Sequence, residues 1–214
     1  MSAAIRNPDI TYAYSSPKVP KRITEEEYEA VLEKSVEKLE FRDGKIVMMA
    51  GGGETHSLVK GNAVRYFGNA FAKRPCRIYD SDMKVKIEAT SLNTFPDASI
   101  VCGKSHFTND KRNTLLNPGA IIEVLSEGTE AYDRGEKFWH YRHMPSLSTY
   151  VLLSSTQIRA EIFELDPSGT WVLTTFDGLD SSMKLQHYDI EIPLAALYEK
   201  TILDPDFAED SEDG

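Results

Sequence analysis

Cysteine, uninterrupted apolar sequence and positive charge are all scarce in this chain of 214 residues, and each scarcity excludes something. The two cysteines, Cys76 and Cys102, are far apart and outside any metal-type spacing, which excludes a cysteine-built zinc site and leaves two reduced thiols as the simplest expectation. No apolar run approaches the ~20 residues of a membrane helix, and Met1 to Pro20 lacks the apolar core of a secretory signal. The expectation is a cytoplasmic protein with no membrane partner. A net charge of −10 argues against a polycationic nucleic-acid binder, but six of the acids, Asp204, Asp206, Glu209, Asp210, Glu212 and Asp213, crowd into the last residues, so the remainder carries only −4. That leaves room for a local basic face, for which Lys60, Arg65, Lys73, Arg74, Arg77, Lys84 and Lys86 are the candidates.

What is present is an ordinary globular composition, 41% hydrophobic and 27% charged, enough for one well-buried core. The expected organisation is a flexible arm over 1–22, where Pro8, Pro17 and Pro20 fall, a single domain over 23–200, and an acidic tail over 201–214. Thr24 with Glu27 forms a capping-box pattern, and Tyr28, Val31, Leu32 and Leu39 suggest a helix or a helix with a turn. Leu39 to Met49 reads as a hairpin around Asp43-Gly44. Glu54 to Lys73 carries Leu58, Val59, Tyr66, Phe67, Ala70 and Phe71 on one helical stripe. Met83, Val85 and Ile87 alternate with Lys84 and Lys86 as in a strand with one wet face, within a strand-like Arg77 to Ile87.

Asp97 to Cys102 and Ala120 to Leu125 follow as strands, and Glu127 to His143 as a second long helix closed by Met144-Pro145. Thr149 to Leu153, Gln157 to Leu165 and Thr170 to Phe176 are strand-like, with a turn at Pro167-Ser168-Gly169 and a short helix over Pro193 to Tyr198. The order predicts an α/β domain with a mixed central sheet flanked by helices and a β-rich C-terminal extension of that sheet.

Glu123 is a lone carboxylate inside the apolar run Ala120 to Leu125, and Asp97 follows Pro96 at the head of another. An unpaired ionised Glu in such a place costs several kcal/mol or more, so it asks for a metal, a cation or a raised pKa. Two carboxylates at the ends of neighbouring strands can hold Mg²⁺, which takes one or two and leaves its other positions to water and phosphate. The plainer alternative is that Asp97 merely starts a strand and Glu123 pairs with an Arg or Lys. Gly51-Gly52-Gly53 lacks the lysine of a phosphate loop and reads as a connector, His140 and His143 have no completing ligands, and Tyr132, Trp139 and Tyr141 read as packing.

The ordered set Glu40 to Ile46, His56, Pro96-Asp97, Ile122 to Ser126, Thr129, Asp133, Lys137 and Tyr141 resembles the Uma-two family, described as restriction endonucleases of the PD-(D/E)xK superfamily, over roughly residues 23 to 200. The resemblance implies a restriction-endonuclease-like fold and an Mg²⁺-dependent DNA endonuclease, with Mn²⁺ able to substitute. It makes Asp97 and Glu123 the metal ligands, Glu40 an auxiliary acid and His56 a further site residue. Where the superfamily has its water-orienting lysine, two residues after Glu123, this chain has Leu125, and the resemblance offers Lys137 instead.

Thr129, Asp133, Lys137 and Tyr141 recur every four residues along one slowly drifting helix stripe, which is compatible with that substitution. Asp133 and Lys137 also fit an ordinary i,i+4 ion pair, Glu40 a solvent-facing strand residue, and His56 a helix-start surface or capping residue. Two other functions stay open: a nuclease-like binding module that no longer cleaves, and a metal-dependent phosphoesterase for a small substrate. A two-fold dimer would suit an enzyme that cuts both strands, although nothing in the sequence specifies an interface.

Overall fold

The computed structural model describes residues 22–49 and 51–208, so 1–21 of the expected arm and 209–214 of the expected tail lie outside the described residues. Thr24 caps α1 (Glu25–Leu32), and both hydrogen bonds of the capping box form. Tyr28 is the buried residue of this helix. Its ring stacks on Phe41 with centroids 5.2 Å apart, and its hydroxyl donates to the Leu39 carbonyl at 2.8 Å. Leu39 belongs to the hairpin, not the helix: β1 (Leu39–Arg42) pairs with β2 (Lys45–Met48) around Asp43 and Gly44, whose φ angles of 49° and 72° are those of the hairpin turn that Asp-Gly favours.

The amphipathic helix α2 (Glu54–Phe71) buries Val59, Ala63, Phe67 and Phe71, one residue per turn. The segment expected as one strand over Arg77 to Ile87 is two, β3 (Cys76–Asp80) and β4 (Lys84–Ile87), separated by a turn at Asp80 to Met83. Its expected wet face is half wrong. Lys84 is buried and ion-paired with Glu29 of α1, because α1 lies over that side of the strand. Then come β5 (Leu92–Thr94), β6 (Ala98–Cys102), β7 (Thr114–Leu115) and β8 (Ala120–Leu125).

The second long helix is broken into α3 (Glu130–Tyr132), a π-helical turn (Asp133–Lys137) and α4 (Phe138–Tyr141). After it, β9 (Thr149–Ser154), β10 (Arg159–Leu165) and β11 (Trp171–Asp177) match the expected C-terminal strands. The sequence reading missed the hairpin β12 (Ser182–Leu185) with β13 (Ile190–Pro193), which precedes α5 (Leu194–Tyr198). A further helical turn, α6 (Pro205–Ala208), lies inside the segment expected as tail.

The strands build two main sheets. One runs β2-β1-β5-β4-β7 and the other β11-β10-β9-β8-β6-β3, the latter mixed because β8 and β9 are parallel while its other pairs are antiparallel. Strand β8 is buried on both faces, as parallel strands under helices are. Ala120, Ile122 and Val124 face a cluster that includes the α2 stripe, Met183, Leu185 and Leu197. Ile121 and Leu125 face a second cluster with Tyr141, Leu147 and Tyr150, and by alternation Glu123 points to that side too.

Cys76 and Cys102, expected as reduced thiols, stand directly opposite each other in the β3/β6 register and are joined as a disulfide. Their 26-residue separation in sequence conceals a pairing that only the register creates. Protein unfolded without reductant is expected to show no thiol reactivity, and titration of two thiols would contradict the bond. Phe67 is fully buried where α2 meets the large sheet, so Phe67→Ala should cost about 3–5 kcal/mol of unfolding free energy in denaturant titration.

Candidate active site

The residues singled out from sequence come from five separate segments and meet at one cavity of about 630 Å³. Its lining includes Glu40, His56, Asp97, Glu123 and Lys137. Asp97 sits just before β6, and the register Ala98↔Ile122 sets it across from Glu123. The Val124 amide donates to Asp97 Oδ2 at 2.8 Å, and the Asp97 amide lies 3.4 Å from Glu123 Oε2. The two acids are thus tied together through the backbone of adjacent strands, with Asp97 Oδ1 turned toward Lys60 at 3.9 Å.

Lys137 enters from the π turn. Its Nζ lies 2.8 Å from Glu123 Oε1, 3.3 Å from Asp133 Oδ1 and 3.7 Å from Glu40 Oε1, and its side chain is only 5% exposed. Asp133 and Lys137 are the first and last residues of the π turn, and four residues apart they lie on one face. The i,i+4 ion pair of Asp133 with Lys137 is present, but it is buried and Lys137 is shared with Glu123 and Glu40. Leu125 could not have served here, because it is packed in the second apolar cluster with Tyr150 and Leu152.

Glu40 is buried, not solvent-facing. Strand alternation sends Leu39 and Phe41 toward Tyr28 and leaves Glu40 on the cavity side, where it accepts from the Thr94 hydroxyl. His56 lies at the start of α2 with Nε2 3.5 Å from Asp97 Oδ2. A Cβ on Gly52 would overlap the His56 ring, so this glycine of the expected connector makes room for the histidine. Sequence reasoning treated Tyr141 as packing and gave Lys60 only a place on a basic face. Tyr141 is indeed fully buried, yet its hydroxyl donates to Glu123 Oε1 at 2.7 Å. Both residues were findable as helix neighbours, Tyr141 four after Lys137 and Lys60 four after His56.

Electrostatics follow from this geometry. Burial pushes the Glu123 carboxyl up to about 8 despite the opposing pull of Lys137, with Asp133 and Asp97 adding to the rise. Burial also works against charge on Lys137, but Glu123, Glu40 and Asp133 outweigh it and hold the ammonium well above the usual lysine range. For Asp97, burial raises the carboxyl, but His56, the Val124 amide and Lys137 together keep it below its ordinary value. Asp133 is raised by burial.

Three acids, Glu123, Glu40 and Asp133, therefore share one buried cation with Asp97 close by, an excess of acidic groups that suits a divalent ion. No group of three or more His, Cys, Asp or Glu among the described residues is arranged to hold a metal unaided. Two carboxylates that leave most positions to water and phosphate are the kind of donor set Mg²⁺ uses. Asp97 and Glu123 fit that description. His140 takes no part in any such set, its Nε2 lying 3.9 Å from Glu136.

A family model described as "Uma2: Putative restriction endonuclease" matches residues 25–195, and the chain belongs to this Uma2 family. It is 33% identical over 186 residues to the uncharacterized protein slr1290 of Synechocystis sp., covering 86% of this chain and 95% of that protein. A second uncharacterized Synechocystis protein, sll1609, is 29% identical over 170 residues, covering 79% and 96%. Among solved structures, a "putative nuclease belonging to DUF820" from Anabaena variabilis superposes with a TM-score of 0.64 at 16% identity, over 78% of this chain and 94% of that one. The mixed α/β fold expected from sequence is thus a shared one, and by family and fold the chain is restriction-endonuclease-like. Among the described residues no helix is long and apolar enough to cross a membrane.

Because the folded Glu123 carboxyl titrates near 8 and its ordinary value is 4.5, holding it ionised costs stability that is absent in acid and grows as pH rises between those values. Glu123→Gln should therefore raise the thermal midpoint at about pH 8 in EDTA, and the gain should disappear near about pH 4. A variant less stable than the parent at the higher pH would contradict the assignment.

Proposed function

We propose that this protein is a divalent-metal-dependent endonuclease that hydrolyses phosphodiester bonds of DNA. The observation that carries the reading is Lys137 Nζ, 2.8 Å from Glu123 in the cavity that Asp97 and Glu123 line. A protonated lysine beside paired strand-borne carboxylates supplies, from a helix, the function that Leu125 cannot. This favours hydrolysis over a module that has lost it.

Asp97 and Glu123 would hold the ion, Mg²⁺ with Mn²⁺ able to substitute. When bound it supplies positive charge to the phosphate and acidifies a water. Lys137, held protonated by its three acids, is not a base. It donates, orienting the attacking water and offsetting negative charge as it develops on the phosphate oxygens. Glu40 and Asp133 keep that ammonium charged and centred. Tyr141 fixes Glu123 Oε1, leaving Oε2 on the side of Asp97. His56 restrains the Asp97 carboxylate, and Lys60, one turn further along α2, is within reach of a phosphate there.

The parent is expected to nick supercoiled plasmid with Mg²⁺ or Mn²⁺ and to be silent in EDTA. Asp97→Asn should lose the metal-dependent activity and Lys137→Gln should lower kcat by about 10²–10³-fold, each with an unaltered circular dichroism spectrum. If no DNA form is cut with either ion, the proposal fails. Full activity in Asp97→Asn would remove the metal site from this place.

A further inference from the structure

Positive charge is unevenly matched over this molecule. Of the seven residues expected to form a basic face, Lys60, Arg65, Lys84 and Lys86 are each tied to a carboxylate, those of Asp97, Glu199, Glu29 and Glu25. Arg77 is not. It lines a second cavity of about 540 Å³ together with Lys104 and Arg112, and Asp110 is the one acid on that lining. Among the described residues none of the three cations has a carboxylate within 4.0 Å.

The two arginines have side-chain anchors, and the loop that carries Lys104 is braced through its backbone. The loop between β6 and β7 that carries Lys104 and Arg112 is braced by Asn117, which accepts from the His106 amide at 2.7 Å and donates to the Lys104 carbonyl at 3.0 Å. The Tyr79 and Ser105 hydroxyls meet at 2.7 Å beneath it. Arg77 donates to the Gly103 carbonyl at 2.8 Å, and the Arg112 guanidinium lies 4.8 Å over the Phe107 ring. Arg112 occupies the left-handed region with φ of 55°, an uncommon conformation for a side chain of this size. Three like charges on the lining of one exposed cavity, with no carboxylate among their partners, favour an anion there.

The cavity also has a fixed relation to the candidate active site. Arg77 pairs with Val101 in the β3/β6 register, so Arg77 and Asp97 project to the same face of the large sheet, toward opposite ends of β6. At about 3.4 Å per residue the two positions are about 14 Å apart along the strand.

We propose that Arg77, Lys104 and Arg112 form a phosphate-binding site that grips the DNA backbone at a distance from the bond presented to Asp97 and Glu123. The inference rests on the nuclease reading for its choice of DNA as the source of phosphate. It explains how a chain of net negative charge holds DNA, with one compact cationic cavity in place of a broad basic face.

The test is binding of a short fluorescent DNA duplex in EDTA across about 50–200 mM salt, for the parent and for Lys104→Ala combined with Arg112→Asn. Asparagine is chosen because it tolerates the left-handed backbone, so that charge is removed without strain. Loss of two phosphate contacts should lower the slope of log affinity against log salt by about 2 and weaken binding at least about tenfold at the low-salt end. Hydrolysis of bis(p-nitrophenyl) phosphate, too small to bridge the two cavities, should be unchanged.

An unaltered slope and affinity would overturn the site, whatever the parent cleaves. A reduced slope in a protein that cleaves nothing would keep the site and sink the endonuclease reading. Inorganic phosphate competed away from the cavity with no change in DNA binding would assign it to free anions and overturn the backbone contact.

Discussion

The ammonium of Lys137, buried and 2.8 Å from Glu123, allows Glu123, Asp133 and Glu40 to share one interior. Each of these ions loses several kcal/mol of hydration on burial, and only close opposite charge with further hydrogen bonds repays it. The surroundings are organised accordingly. Tyr141 and Thr94 hydroxyls donate to the acids, and the Tyr150 hydroxyl donates to the Asp133 carbonyl at 3.0 Å. Without the lysine, three carboxylates would face one another in a poorly hydrated space.

The route by which Lys137 arrives is set by secondary structure. On β8, Glu123 and the residue two further along share a face, but the deeper position lies within packed apolar side chains, and Leu125 fills it. The helical segment laid across that face offers the alternative, and the π turn aims Asp133 and Lys137 together at the strand. A π turn is an irregularity with a cost, often found where function requires it. Here its last residue is the cation that meets Glu123.

Much of this was legible beforehand, for identifiable reasons. Asp97 and Glu123 stood out because an acid in an apolar run conflicts with its neighbours, and the Asp43-Gly44 hairpin and the Thr24 cap are read from a few residues each. The four-residue spacing from Thr129 to Tyr141 marked the helix face that is turned to Glu123, although not the π turn within it. What stayed hidden depended on distant pairing. Glu40 lies in a four-residue strand too short to show which side is buried, Lys84 looked solvent-facing until α1 covered it, and Cys76 meets Cys102 only through strand register.

The cavity draws Glu40 from the small sheet, His56 from α2, Asp97 and Glu123 from the large sheet and Lys137 from the π turn. No local stretch of chain contains the ensemble, so it forms only after elements far apart in sequence have docked. During synthesis from the N-terminus, a ribosome-bound chain must release everything through Lys137, and then the strand β9 that flanks Glu123, before the carboxylates acquire their counter-charge. A nascent chain that ends before Lys137 thus holds the acids of the cavity without the ammonium that Glu123, Asp133 and Glu40 share.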